Sequence, residues 1–235
     1  MATYEDHLGM ISAVASAMGQ PICDEVAFVG GCTTALLLTD DFTKQQVRHT
    51  DDVDLIVHVI STAGWHAMVD RLRGAGFRER MDEDGPICAM FLDDLRVDFM
   101  PDDPDILGFS NQWYASAHRT SSTLALPNGL SIKLVAPAYF VATKIEAYLS
   151  RGKGDPLMSQ DIEDILTLID GRAELLDELL AAPTDLRVYV STQLRALTGH
   201  RDFEYAIAAA ANGDDGRERE IAGRVARIIS LNGLT

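Results

Sequence analysis

Asp52-Val53-Asp54-Leu55-Ile56-Val57 places two aspartates two residues apart at the mouth of an apolar, β-branched run. Residues i and i+2 of a strand share a face, so a strand over 53–60 aims Asp52 and Asp54 the same way. Upstream, Ala27-Phe28-Val29 ends an apolar run in Gly30-Gly31. Downstream, Leu95-Arg96-Val97-Asp98-Phe99-Met100 inserts one aspartate into another strand-like run. These three stretches lead to a mixed sheet with carboxylates at one edge.

Three carboxylates in one place repel, and at least one stays protonated unless a cation intervenes. Magnesium, a hard ion that prefers oxygen ligands, is the expected occupant. A glycine pair after a strand and before a helix aims backbone N–H groups at an anion, and Thr33 and Thr34 add hydroxyls. The expectation is a two-metal phosphoryl-transfer site. Asp52, Asp54 and Asp98 would ligate Mg2+, and Gly30, Gly31 and Thr33 would cradle the phosphates of an NTP. Asp98 has a competing reading, as part of a half-buried hairpin's polar face shared with Arg96.

Composition narrows the classes. The 235 residues are 47% hydrophobic, enough for one or two globular domains. A formal charge of −16 repels nucleic acid over long range, so an RNA substrate requires a local basic patch. Cys23, Cys32 and Cys88 are odd in number and lack ligand spacing, which argues against a disulfide framework. No apolar stretch has the length of a membrane span, and the acidic start Met1 to His7 lacks a signal pattern. A cytoplasmic protein is the default expectation.

Helical spacing appears over His7–Met18, Cys32–Leu38 and Ala63–Ala75, while 40–50 reads as polar loop. Pro86 to Pro101 reads as a hairpin turning at Asp93-Asp94. Residues 102–108 read as an acidic loop, and 112–133 as further short strands. From Pro137 the pattern is helical over 138–149, 159–170, 172–182, 186–197 and 218–231, with Ser159 as an N-cap. The expected fold is α+β: residues 1–135 form a sheet core with helices, and 136–235 a helical domain that completes the site. His58 is expected half-buried, and Trp113-Tyr114 in the core rather than stacked on a base.

Val29-Gly30-Gly31 followed by Arg48-His49-Thr50-Asp51-Asp52-Val53-Asp54-Leu55 resembles the glycine-pair and R-x-T-x-D-x-D signatures of nucleotidyltransferase-fold (polymerase-beta-like) proteins. The likeness is to the AbiEii/AbiGii-type toxin group, MenT-like toxins included. It extends through Lys144-Ile145-Glu146-Ala147, the basic segment Arg151 to Asp155, and Ser159-Gln160-Asp161-Ile162-Glu163-Asp164. Gln160 stands where the group's RD-x-x-D motif has arginine. The resemblance implies a catalytic Lys144 that also binds nucleotide, a catalytic Asp161 favoured over Asp164, and a toxin of a toxin–antitoxin or phage-defence pair. A tRNA acceptor and a cognate antitoxin are its implied partners, with Arg151 and Lys153 as the basic patch. On the residues alone, Lys144 reads equally as a snorkelling surface lysine. Two other readings stay open. One is a nucleotidyltransferase of small cationic acceptors such as aminoglycosides, and the other a non-catalytic nucleotide- or partner-binding module.

Overall fold

The computed structural model describes residues 4–80, 87–151 and 154–231. Pro86, at the start of the expected hairpin, and Lys153, of the expected basic patch, lie outside the described residues. The chain is α+β and divides into two compact units. The first comprises Met1–Thr33 and His49–Ala136, and the second Thr34–Arg48 and Pro137–Thr235. Patterning alone suggests one boundary near 135. The chain instead crosses between units three times, because the segment 34–48 packs with the later helices.

In the first unit, the strands are β1 (Val26–Val29), β2 (Asp52–Val57), β3 (Ala89–Leu92), β4 (Leu95–Pro101), β5 (Ser122–Ala125) and β6 (Ser131–Leu134). They form one mixed sheet in the order β3-β4-β2-β1-β6-β5. β2 runs antiparallel to β1 and parallel to β4, and β1 runs parallel to β6. The central strand β1, Val26–Val29, is apolar and buried at every residue, the pattern of a strand covered on both faces. Phe77 packs edge-on against Phe99 of β4, 5.3 Å between ring centres, and both are fully buried.

The helices of the chain are α1 (Tyr4–Cys23), α2 (Thr34–Leu37), α3 (Asp41–Lys44), α4 (Thr62–Gly74), α5 (Pro104–Leu107), α6 (Tyr114–Arg119) and α7 (Pro137–Ser150). There follow α8 (Gln160–Gly171), α9 (Leu175–Ala181), α10 (Thr184–Thr198), α11 (Phe203–Ala210) and α12 (Asp215–Ser230). α1 loses helical geometry at Gly19, one residue past the predicted end at Met18, and Pro21 follows. The 40–50 loop and the acidic loop each hold a one-turn helix. Asp40 caps α3 and Asp103 caps α5, each through a side-chain bond to a backbone N–H. One turn is too short to show a 3.6-residue period, so the caps were the available signals. Tyr114–Arg119, expected among strands, is helical. The two-turn α11 escaped the periodicity for the same reason of length.

Within the second unit, the segment 34–48 is tied to the end of α8. Thr39 N and Asp40 N both donate to Gly171 O at 2.9 Å, and Arg172 Nη1 donates to Leu37 O at 2.6 Å. A Cβ on Gly171 would lie 2.8 Å from Leu38 and Thr43 side-chain atoms, so that closeness requires glycine. Ser159 caps α8 as its sequence predicts, accepting from Ile162 N.

Candidate functional site

The glycine turn begins where β1 ends. Gly30 has φ +80°, the left-handed region that costs other L-residues energy. Asp54 stands opposite Val29 in the β1–β2 register and fills the space beside the glycine. A Cβ on Gly30 would lie 1.8 Å from Asp54 Oδ2 and 2.5 Å from its Cγ. Gly30 is therefore required twice, by its backbone angle and by the carboxylate pressed against it. Gly31–Thr33 continues as a 3-10 turn. Thr33 closes it by donating its hydroxyl to Gly30 O at 2.8 Å, and both Gly31 and Thr33 are buried. The Thr33 hydroxyl thus serves the turn. Thr34 Oγ1 is buried without a hydrogen-bond partner.

β2 and β4 bring the three aspartates into one block. In their parallel register Asp54 pairs with Asp98, and Asp52 pairs with Arg96. Register partners on adjacent strands face the same way, so Asp52, Asp54, Arg96 and Asp98 share one sheet face. Arg96 grips Asp98 with a two-pronged bond, Nε to Oδ1 at 2.9 Å and Nη2 to Oδ2 at 2.6 Å. Its guanidinium is held above its ordinary pKa first by the Asp98 bond, with the charges of Asp52 and Asp54 adding. Asp98 is 7% exposed, so this fork offsets a carboxylate that would otherwise be buried without a counter-charge. Thr50 Oγ1 donates to Asp52 Oδ1, while the neighbouring Asp51 turns out to pair with His49 at the surface. Burial, then the charges of Asp98 and Asp54, pushes the Cys88 thiol up to about 12. It stays a neutral thiol at pH 7.

These carboxylates are the right donors for a hard cation, but their present arrangement is not a closed cage. Among the described residues no group of three or more His, Cys, Asp or Glu side chains is gathered as a metal site. Arg96 occupies both oxygens of Asp98. The i, i+2 spacing of Arg96 and Asp98 was the sequence signal for it.

In the second unit a chain of charges runs through the interior. Arg48 donates Nε and Nη2 to the two oxygens of Asp164 at 2.9 and 3.0 Å. Lys144 Nζ lies 2.6 Å from Asp164 Oδ2 and 3.2 Å from Asp161 Oδ1. Arg151 Nη1 lies 3.4 Å from Asp161 Oδ2. Lys144, Asp161 and Asp164 are 8%, 2% and 1% exposed, so Lys144 is no surface lysine. Burial alone would raise the pKa of Asp164. The charges of Lys144 and Arg48 outweigh it and hold the carboxyl below its usual value. Asp161 and Arg151, with Tyr148, Met158 and Gln160, line a cavity of about 680 Å³. Asp155 also borders it, but its Oδ1 accepts from Leu157 N and Met158 N. Arg48 and Asp164 are the residues that spacing undervalued. The i, i+3 pairing of Asp161 and Asp164 was legible, whereas Arg48, which forks onto Asp164, lies 116 positions away.

Other candidates resolve into packing. Trp113 is buried, and the Tyr114 hydroxyl meets Met100 Sδ at 3.0 Å. His58 is exposed rather than half-buried. It pairs through Nδ1 with the buried Asp102 at 2.7 Å and stacks on His118, 5.7 Å between ring centres. No helix among the described residues is long and apolar enough to cross a membrane. No protein-family model and no curated protein matches the sequence.

Proposed function

We propose that the protein is a magnesium-dependent nucleotidyltransferase of the polymerase-beta-like fold. It would move a nucleoside monophosphate from an NTP to an acceptor hydroxyl and release pyrophosphate. The observation that carries this reading is the Asp54 carboxylate set against the left-handed Gly30, in register with Asp98 and on one face with Asp52. Asp52, Asp54 and Asp98 would hold the magnesium, whose role is to draw off charge from the reacting phosphoryl group. Engagement of Asp98 in that set requires Arg96 to give up its fork. The backbone at Gly30 and Gly31 would hold the phosphates beside the magnesium that Asp54 ligates. The resemblance of the motifs assigns nucleotide binding to Lys144 and a catalytic role to Asp161, which pair with each other inside the second unit.

The resemblance of the motifs to AbiEii/AbiGii-type toxins supports an acceptor on tRNA and a role in a toxin–antitoxin or phage-defence pair. The formal charge of −16 favours a second reading, transfer to a small cationic acceptor such as an aminoglycoside. One experiment tests both. Each α-labelled NTP is incubated with Mg2+ and either total RNA or an aminoglycoside, and pyrophosphate and labelled product are measured. Label on tRNA is the expected result, and label on the aminoglycoside establishes the second reading. No pyrophosphate with any NTP overturns both, leaving a binding module. Lys144→Ala should lower the rate at limiting NTP, with only partial recovery in Lys144→Arg, because a planar fork does not replace a point charge.

A further inference from the structure

Within the second unit, α7 and α10 pack together and flank an open cavity of about 330 Å³. Its lining is largely apolar. Ile145 and Leu197 border it from buried positions, and Leu149 from an exposed one. Among the described residues no Lys, Arg, Asp or Glu lines it. Three polar side chains do, Tyr148, Gln193 and His200. Tyr148 is 9% exposed, yet among the described residues neither its hydroxyl nor the Gln193 amide has a hydrogen-bond partner. Burial, then the charge of Asp155, holds that hydroxyl above its ordinary pKa, so at pH 7 it is neutral and both donates and accepts. His200 Nδ1 accepts from Asp202 N at 3.2 Å, so the neutral ring carries its hydrogen on Nε2. That N–H is the third group without a partner among the described residues. A hydroxyl so far withdrawn from water has lost hydrogen bonds that a ligand can give back.

The chemistry of the lining selects the ligand. Without a charged side chain it offers nothing to a phosphate, an ammonium group or a metal ion. An alkyl chain would fill the volume but leave three polar groups facing carbon. A flat ring with donors and acceptors along its edge meets both demands. Its faces suit the aliphatic and aromatic side chains, and its edge suits an amide, a hydroxyl and an imidazole N–H. We infer that the cavity between α7 and α10 binds a nucleobase, with Tyr148, Gln193 and His200 reading its hydrogen-bonding edge. The inference rests on the transferase reading for its biological ligand alone, since either the nucleotide or an unpaired end of the RNA acceptor supplies such a base. The sugar and any phosphates stay in solvent, because the cavity has no charge to hold them.

The test compares wild type, Tyr148→Phe and Gln193→Leu. Affinities for adenosine, guanosine, cytidine and uridine are measured by calorimetry in EDTA, which keeps magnesium from the aspartates. Indole, a flat ring with a single N–H, is the control, and melting temperatures are recorded alongside. At least one nucleoside should bind more tightly than indole. Tyr148→Phe should weaken that nucleoside about threefold and Gln193→Leu about tenfold, with indole unchanged in both. Melting temperatures should hold, since neither deleted group has a protein partner. The inference is overturned if no nucleoside binds, if indole binds as tightly as the best nucleoside, or if both variants keep the wild-type affinity. Parallel losses for indole and nucleoside also overturn it, because the cavity's shape rather than its polar groups would then be at work. Should Gln193→Leu lower the melting temperature, Tyr148→Phe decides alone, since it keeps the ring and the shape. The matching NTP and a short single-stranded RNA without terminal phosphates then compete with the nucleoside, and the stronger competitor identifies the source of the base. Nucleoside binding without pyrophosphate release from any NTP overturns the transferase reading and leaves the cavity standing. Pyrophosphate release without nucleoside binding does the reverse.

Discussion

Gly30 and Arg96 carry opposite lessons about single residues. Gly30 matters for what it lacks, because its backbone is left-handed and the Asp54 carboxylate occupies the place of a Cβ. Gly30→Ala should destabilise the fold by about 2–4 kcal/mol, from the backbone angle and the overlap together. Urea denaturation reads this, and a loss under about 0.5 kcal/mol would show that Asp54 moves aside freely. Arg96 matters for what it holds. Arg96→Gln leaves Asp98 beside Asp54 without its counter-charge and should cost about 1–3 kcal/mol in EDTA. Magnesium should then restore more stability to the variant than it adds to wild type, because the ion replaces the lost cation. Thermal melts with and without Mg2+ check this, and equal responses in the two proteins would separate the Arg96 fork from any metal.

At the scale of elements, β2, β4 and α6 meet at a group of titratable residues away from the aspartate block. Asp102, after β4, accepts from Val59 N at 3.3 Å and pairs with His58 after β2. His118 of α6 stacks on His58 and donates Nε2–H to Glu25 O at 2.9 Å. Burial above all, then Lys133 and His58, holds His118 below its ordinary pKa of 6.5, against the opposing pull of the Glu25 carbonyl and Asp102. A depressed folded pKa means that the unfolded chain takes up the proton first. The stability from a neutral His118 is complete above pH 6.5 and is lost as pH falls below it toward the folded value. His118→Gln keeps an N–H donor without titrating. The fall in stability between pH 7.5 and pH 5 should be smaller in this variant, as measured by urea denaturation at both pH values. An unchanged fall would assign the acid sensitivity to other groups.

For the whole molecule, ligand binding is read as a gain in stability. Magnesium with NTP should raise the melting temperature by mass action, about 2.7 kcal/mol at a hundredfold excess over Kd, or several degrees for a chain of this size. Asp54→Asn should keep the fold and lose most of that shift. The same shift in the variant would move the binding site away from the Gly30 turn.

The sequence by itself determined the elements whose signals are local. The apolar run Val26–Val29, the Asp93-Asp94 turn, the Ser159 cap and the i, i+2 spacing of Asp52 and Asp54 all follow from backbone geometry over a few residues. One-turn helices such as α3 and α5 fell below the length at which periodicity speaks. Only the tertiary structure decided the partners of the charged groups. Arg96 could have shown a solvated face, yet the β2–β4 register places it among three carboxylates. Asp161 and Asp164 could have served as exposed helix-start acids, yet α8 is buried against α7 and the 34–48 segment, so they require Lys144 and Arg48. A buried charge must find a counter-charge wherever the fold supplies one, and here Arg48, one of the two counter-charges of Asp164, lies 116 residues away in the chain.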